Sequence, residues 1–169
     1  MNVPASGSVL TEGDKTAMHA AVDRGWLTSG PINAQFEGKL SEFTGIKHVR
    51  TCNSGSSALL LALSALEMPK GSRVLTPAVG FPTTANAIIH RGCIPVFVDI
   101  DLGTYEANID QIREAISPKT KAIMMAHTLG NVFDIAAVRQ ICDEHNLWLI
   151  EDTCDALGAK FDGKFAGTF

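Results

Sequence analysis

This sequence lacks a Cys-x-x-Cys pair, a cluster of lysine and arginine, and an apolar run long enough to cross a membrane. Each absence excludes a class of function. Four cysteines, Cys52, Cys93, Cys142 and Cys154, are scattered one at a time beside apolar residues. That spacing does not suggest a zinc site, and each reads as a buried free thiol acting as a small apolar side chain. Lysine and arginine total 14 against 18 acidic residues, a formal charge of -4, with no basic stripe. Neither nucleic acid nor an anionic membrane surface is an expected partner. Met1 to Leu10 has no basic segment leading into an apolar run, so the expectation is a protein with no targeting signal, located in the cytoplasm. Three site motifs are missing as well: Gly-x-x-x-x-Gly-Lys-Ser/Thr, Gly-x-Gly-x-x-Gly after a strand, and Gly-x-Ser-x-Gly. A P-loop, a dinucleotide fingerprint and a nucleophile elbow are thereby set aside.

What is present is 169 residues with 46% hydrophobic and 19% charged content, enough for one domain with a real core. Helical spacing predicts helices over Lys15 to Arg24 and Ile32 to Phe43, the second with Phe36, Leu40 and Phe43 on one stripe and Gly45 as its terminating glycine. Ile46 to Cys52 reads as a first strand running into the turn Asn53-Ser54-Gly55-Ser56-Ser57 and the apolar helix Ser57 to Leu66. The chain then alternates. Strands are expected at Arg73 to Thr76, Ile94 to Asp99, Ala122 to Ala126 and Leu147 to Ile150. Helices are expected at Thr83 to Arg91, Asp110 to Ile116 and Asp134 to His145, and a hairpin-like stretch at Ala159 to Gly167. Short apolar strands separated by helices imply an α/β fold with a mostly parallel sheet and helices on both faces.

Ligands of open α/β sheets bind at the carboxyl ends of the strands, so the residues directly after each strand are the candidates. The turn before the Ser57 helix has small side chains, and the first helical amides have no carbonyl partners within the helix. Together with the positive end of the helix dipole they can hold a phosphate without a basic side chain. The alternative is that Ser54 is only an N-cap. The other strand ends contribute Phe81, His127 with Thr128, and Glu151, Asp152 and Asp155. Phe81 reads either as a core aromatic or as a ring facing a ligand. His127 reads as a hydrogen-bonded structural histidine or as a catalyst. An aspartate directly after an apolar strand needs a hydrogen-bonding or cationic partner to stay ionised, and for Asp152 that partner is a neighbouring segment, a lysine, or a protonated pyridine nitrogen.

The segments Gly30-Pro31, Asn53 to Ala58, Gly80-Phe81-Pro82-Thr83-Thr84-Ala85-Asn86, Pro95 to Asp101, Lys119 to Ile123 and Glu151 to Gly158, in this order, resemble the DegT/DnrJ/EryC1/StrS family of sugar aminotransferases. Ala126 to Asn131 and Glu151-Asp152-x-Cys154-Asp155-Ala156-Leu157-Gly158 are similar to the branch of CDP-4-keto-6-deoxyglucose 3-dehydrases of lipopolysaccharide sugar synthesis. The resemblance implies part of a PLP-transferase type I large domain, with residues 1-25 as a lead-in and helix and residues 26-169 as the N-terminal portion of the cofactor-binding domain. It implies pyridoxal phosphate or pyridoxamine phosphate as cofactor, with Gly55, Ser56 and Ser57 at its phosphate and Phe81 stacked on its ring. Asp152 would pair with the ring nitrogen as the catalytic carboxylate. Asp155 would stand near the ring hydroxyl, where the aminotransferases usually carry glutamine. No metal ligand is assigned.

By the same resemblance, the lysine of the aminotransferases, or the histidine that replaces it in the dehydrases, is expected just past Phe169. The rest of the sheet, the C-terminal domain and the cysteine ligands of the dehydrases' iron-sulfur cluster are expected there too. The function implied is the N-terminal part of an enzyme that removes the C3 hydroxyl of a nucleotide-linked keto-deoxy sugar. Two alternatives stay open: a sugar aminotransferase, and a noncatalytic binding module. An incomplete sheet exposes apolar edge and face, so a homo-oligomer is expected.

Overall fold

The computed structural model describes residue 7 and residues 9–169; positions 1–6 and 8 of the expected lead-in lie outside the described residues. Helix α1 (Glu12–Asp23) starts at a reciprocal cap, in which the Thr11 hydroxyl accepts from the Asp14 amide and the Asp14 carboxylate accepts from the Thr11 amide. Helix α2 (Pro31–Thr44) begins on a proline, whose missing N–H costs nothing in a first turn, and ends at Gly45 with φ 78°. Neither helix buries a single residue.

After α2 the expected strand Ile46 to Cys52 does not form. A strand exists only as one side of a ladder, and here the backbone bonds elsewhere: the Thr51 amide donates to Glu37 Oε1 of α2 at 2.8 Å. The chain passes directly into α3 (Gly55–Ala65), whose N-cap Ser54 accepts from the Ser57 amide at 3.2 Å.

From there the expected alternation is present: β1 (Arg73–Pro77), α4 (Thr83–His90), β2 (Ile94–Val98), α5 (Ile109–Ala115), β3 (Thr120–Ala126), α6 (Ile135–His145) and β4 (Trp148–Asp152). A short 3-10 turn spans Thr128–Gly130, and β5 (Lys160–Phe161) pairs antiparallel with β6 (Lys164–Phe165) as a hairpin. The four main strands run parallel in the order β2-β1-β3-β4.

Alternation along the strands divides the core in two. Val74, Ala122 and Met124 point to one face, where Leu59 and Leu63 of α3 and Ala87 and Ile88 of α4 cover them. Leu75, Ile123 and Met125 point to the other, under Ile112 of α5 and Val138, Ile141 and Cys142 of α6. Two covered faces explain why these strands read as unbroken apolar runs. Of the cysteines, only Cys93 and Cys142 are buried; Cys52 and Cys154 are exposed, against the expectation for all four. Both exposed thiols lie outside the helices and strands, Cys52 just before α3 and Cys154 just after β4.

Candidate functional site

Strand β1 leads outward to β2, whereas β3 lies on the other side of β1 and is followed by β4. The sheet therefore changes its direction of winding between β1 and β3, and a crevice opens above their carboxyl ends. Its volume is about 350 Å3, and its lining draws on four separate stretches of chain. Gly55 and Ser56 come from the start of α3, and Gly80 and Phe81 from the loop after β1. Ala126, His127 and Thr128 follow β3, while Asp152, Cys154 and Asp155 follow β4. The structure thus brings Gly55, Ser56, Phe81, Asp152 and Asp155 to one wall or another of the same crevice. Ser57 does not line it, since its amide is committed to the Ser54 hydroxyl and its own hydroxyl accepts from the same group at 3.2 Å.

The helix start is shaped for close approach. A Cβ built on Gly55 would stand 3.0 Å from Cys154 Sγ, so a glycine is what lets α3 come this near the end of β4. With Ser54 capping Ser57, and with the Ala58 amide donating to the Ser54 carbonyl at 3.0 Å, the Gly55 and Ser56 amides point to the crevice without helical partners. An anionic group fits there, at the positive end of an 11-residue helix.

The opposite wall is acidic. Asp152 Oδ1 accepts from the Cys154 amide at 3.0 Å, a short local bond that aims the half-buried carboxylate. Asp155 Oδ2 accepts from the Leu129 amide at 3.3 Å. The Cys154 thiol is pushed up to about 11, first by its contact with the Asp152 carboxylate and then by burial, so it stands in the wall as a neutral S–H. Phe81 is 72% exposed and packs in no core cluster, which removes the reading of it as a core aromatic. Taken together, the walls suit an elongated ligand with an anion at one end, a flat face, and a cationic N–H at the other. The donor set fits a phosphorylated pyridine, and no lysine or arginine lines the crevice.

His127 is 1% exposed and lies beneath this crevice. Its Nε2 is 3.2 Å from Glu151 Oε2, and its ring stacks on Phe133 with centroids 4.2 Å apart and planes within 6°. Glu151 also accepts from the amides of Gly167 at 2.7 Å and Phe169 at 2.9 Å. Burial pushes the Glu151 carboxyl up, but the His127 bond and the two amides outweigh it, and the net direction is below the ordinary value. Adjacent carboxylates at the end of β4 thus divide their roles by strand alternation. Glu151 serves the interior, and Asp152 serves the crevice. Glu106 has a place behind this site that no motif in the sequence signals; it sits in a polar loop, half-buried, with burial raising its carboxyl and His127 and the Thr128 amide opposing that.

A second concavity, larger at about 1040 Å3, lies between Trp26 to Pro31 and Thr51 to Asn53. Its walls mix apolar Trp26, Leu27 and Ile32 with polar Arg24, Ser29, Asn33 and Thr51, and no acid lines it.

The sequence profile of the DegT/DnrJ/EryC1/StrS aminotransferase family matches residues 9–169. The chain is 52% identical, over 99% of its length, to the lipopolysaccharide biosynthesis protein RfbH of Salmonella typhimurium, of which it covers 40%. To the dTDP-4-dehydro-2,6-dideoxy-D-glucose 3-dehydratase of Saccharopolyspora spinosa it is 45% identical over 97% of its length, covering 37% of that protein. Among solved structures it superposes on E. coli GDP-4-keto-6-deoxy-D-mannose-3-dehydratase with bound hydrated PLP. That match has a TM-score of 0.94 and 32% identity, and covers 99% of this chain and 45% of the other. The chain spans about two fifths of the length of these curated relatives.

Proposed function

The chain belongs to the DegT/DnrJ/EryC1/StrS aminotransferase family, and we propose that it supplies the cofactor-holding part of a 3-dehydratase acting on a nucleotide-linked keto-deoxy sugar, with pyridoxal or pyridoxamine phosphate as cofactor. The observation that carries this reading is the crevice in which the start of α3 faces Asp152 and Asp155 across an exposed Phe81. In it, Gly55 and Ser56 amides hold the phosphate, backed by the Ser54–Ser57 cap. Phe81 covers one face of the ring. Asp152, aimed by the Cys154 amide, accepts the ring N–H and keeps that nitrogen protonated. Asp155 stands beside the ring hydroxyl, tied to the Leu129 amide. Bound there, the cofactor supplies an electron sink for negative charge that develops on the sugar-derived carbon. Relatives named as 3-dehydratases support the dehydration of the sugar's C3 hydroxyl as the reaction.

Titration of the purified chain with pyridoxamine phosphate, followed by induced circular dichroism of the ring, tests the site. Saturable binding is expected, and Asp152→Asn weakens it by roughly tenfold or more, about 1.4 kcal/mol. A folded chain that binds no cofactor overturns the reading. The family description favours a second reading, transfer of an amino group to the same sugar. A protein of the relatives' length that carries this chain distinguishes the two. Loss of water from a nucleotide 4-keto-6-deoxy sugar supports the dehydratase, and glutamate-dependent amination supports the aminotransferase.

Among the described residues no helix is long and apolar enough to cross a membrane. That accords with work on a water-soluble nucleotide sugar in the cytoplasm. Exposed Met18, Val22, Phe36 and Phe43 on α1 and α2, with Ile94 and Phe97 on the edge strand β2, support self-association into a homo-oligomer. A monodisperse monomer in light scattering would contradict it.

A further inference from the structure

His127 is the first residue after β3, and its side chain is completely buried. Its backbone amide donates to the Asp152 carbonyl at 3.0 Å, and its carbonyl accepts from the Gly130 amide at 3.1 Å. Its Nε2 stands 3.2 Å from Glu151 Oε2, and its ring lies flat on Phe133. Two of these contacts fall on adjacent residues of β4. One residue therefore grips the side chain of Glu151, which turns to the interior, and the backbone of Asp152, whose side chain turns to the crevice.

The backbone bond between two parallel strands forms with any residue at position 127 except proline; the ring contact is specific. The Glu151 side chain is 5% exposed and already accepts from the Gly167 and Phe169 amides. Gly167 fits this anchor, since at φ 86° a Cβ there would stand 2.9 Å from Thr153 Cγ2. An ionised carboxylate only accepts, so the hydrogen of the neutral His127 ring sits at Nε2. Among the described residues Nδ1 has no partner, which leaves the Glu151 bond as the ring's polar contact. The turn beyond His127 carries the hold to the second acid. Gly130 closes that turn on the His127 carbonyl, and inside it the Leu129 amide donates to Asp155 Oδ2 at 3.3 Å. Asp152 is aimed by the Cys154 amide at 3.0 Å. The seat of His127 thus bears on both crevice carboxylates.

We propose that His127 is a positioning residue for the crevice: its Nε2–H···Glu151 bond locks the end of β3 to the end of β4 and so fixes Asp152 and Asp155 in front of Gly55 and Ser56. In this role it touches no reacting atom and moves no proton. Its bearing on cofactor binding rests on the function proposed above, whereas the placement of the two acids is a property of the chain without cofactor.

Two substitutions separate the bond from the packing. His127→Phe keeps a flat ring against Phe133 and removes the N–H, whereas His127→Gln removes the ring and returns a side-chain N–H near the Nε2 position. Proton–nitrogen spectra of the 15N-labelled chain without cofactor read the Cys154 and Leu129 amides, which donate to Asp152 and Asp155. In His127→Phe both amide protons are expected to move upfield as those bonds lengthen; in His127→Gln both stay close to wild type. With pyridoxamine phosphate added, the Phe variant binds about tenfold or more weakly than wild type, and the Gln variant within about threefold of it. Should His127→Phe fail to fold, Glu151→Gln gives the same readings, because three donors then compete for one acceptor oxygen. Unmoved reporters in the folded variant, or larger movement in His127→Gln than in His127→Phe, overturn the proposal and leave the ring a packing role. Loss of the fold in both His127→Phe and Glu151→Gln overturns it too, since the bond then holds the whole protein and not the two acids. A wild-type chain that binds no pyridoxamine phosphate sinks the cofactor reading, while the amide reporters still decide this one.

Discussion

The two halves of this chain use similar apolar residues to opposite effect. Between Gly55 and Asp152, side chains such as Leu63, Val74, Leu75, Ile88, Ile123 and Met124 are almost completely withdrawn from water by helices on both faces of a parallel sheet. Between Glu12 and Thr44, two well-capped helices bury nothing, and Met18, Val22, Trp26, Ile32, Phe36 and Phe43 all stand more than half exposed or close to it. Caps and local propensity suffice to start and stop a helix, but most helical stability in a folded protein comes from packing an apolar face. The contrast teaches that the first helices are folded locally and await a surface, whereas the sheet supplies its own. What holds α2 to the rest is specific and small: Glu37 accepts from the Thr51 amide and hydroxyl, and Phe43 meets Phe165 at 4.8 Å.

The largest expected difference between the halves is in truncation. Ile123→Ala, in a fully buried position on β3, destabilises by about 3 kcal/mol in urea unfolding, whereas Val22→Ala on α1 changes stability by less than about 0.5 kcal/mol. Equal losses would erase the contrast. Next is Glu151→Ala, which strips His127 Nε2 and the Gly167 and Phe169 amides of their acceptor. A loss of about 2–3 kcal/mol is expected, measured in the same way.

The pH profile sharpens the comparison inside the well-packed half. The Glu106 carboxyl is raised to about 7 in the folded chain from an ordinary 4.5, so the native state binds this proton more tightly than the unfolded chain. Its contribution is full below about 4.5 and is lost as pH rises toward and past 7. Glu151 is lowered, and its contribution has the opposite sign, present above 4.5 and lost as pH falls below it. Urea midpoints therefore decline on both sides of a mildly acidic optimum, and Glu106→Gln flattens only the alkaline limb. The smallest effect is steric. Gly55→Ala brings a methyl to 3.0 Å from Cys154 Sγ and costs about 1 kcal/mol, read also as weaker cofactor binding, and Cys154→Ala in the same chain restores it.

Much of this was legible beforehand, for reasons that can be named. Four strands and six helices follow from periodicities that their own residues carry, as in Val138, Ile141 and Cys142 at helical spacing on α6. The convergence of Ser56, Phe81 and Asp152 follows from a rule about strand ends. The segment Ile46 to Cys52 was not legible, since its β-branched composition says nothing of whether a partner strand lies beside it. Nor was Glu106, an acid in a polar loop like Asp99 or Asp101, whose part-burial raises its carboxyl. The exposure of Phe81 and Cys154 could not be read either, because an apolar side chain looks the same in sequence whether or not something covers it.

By itself the sequence determined the α/β alternation, the serine-capped start of α3 and the family, since each depends on residues near one another along the chain or on their order. Only the tertiary structure decided which carboxylate of the Glu151–Asp152 pair faces the crevice, which thiols are covered, and where Glu106 comes to rest. Those outcomes depend on which segments meet across the sheet, and burial, which sets the charge state of an acid, is a property of neighbours far away in the chain.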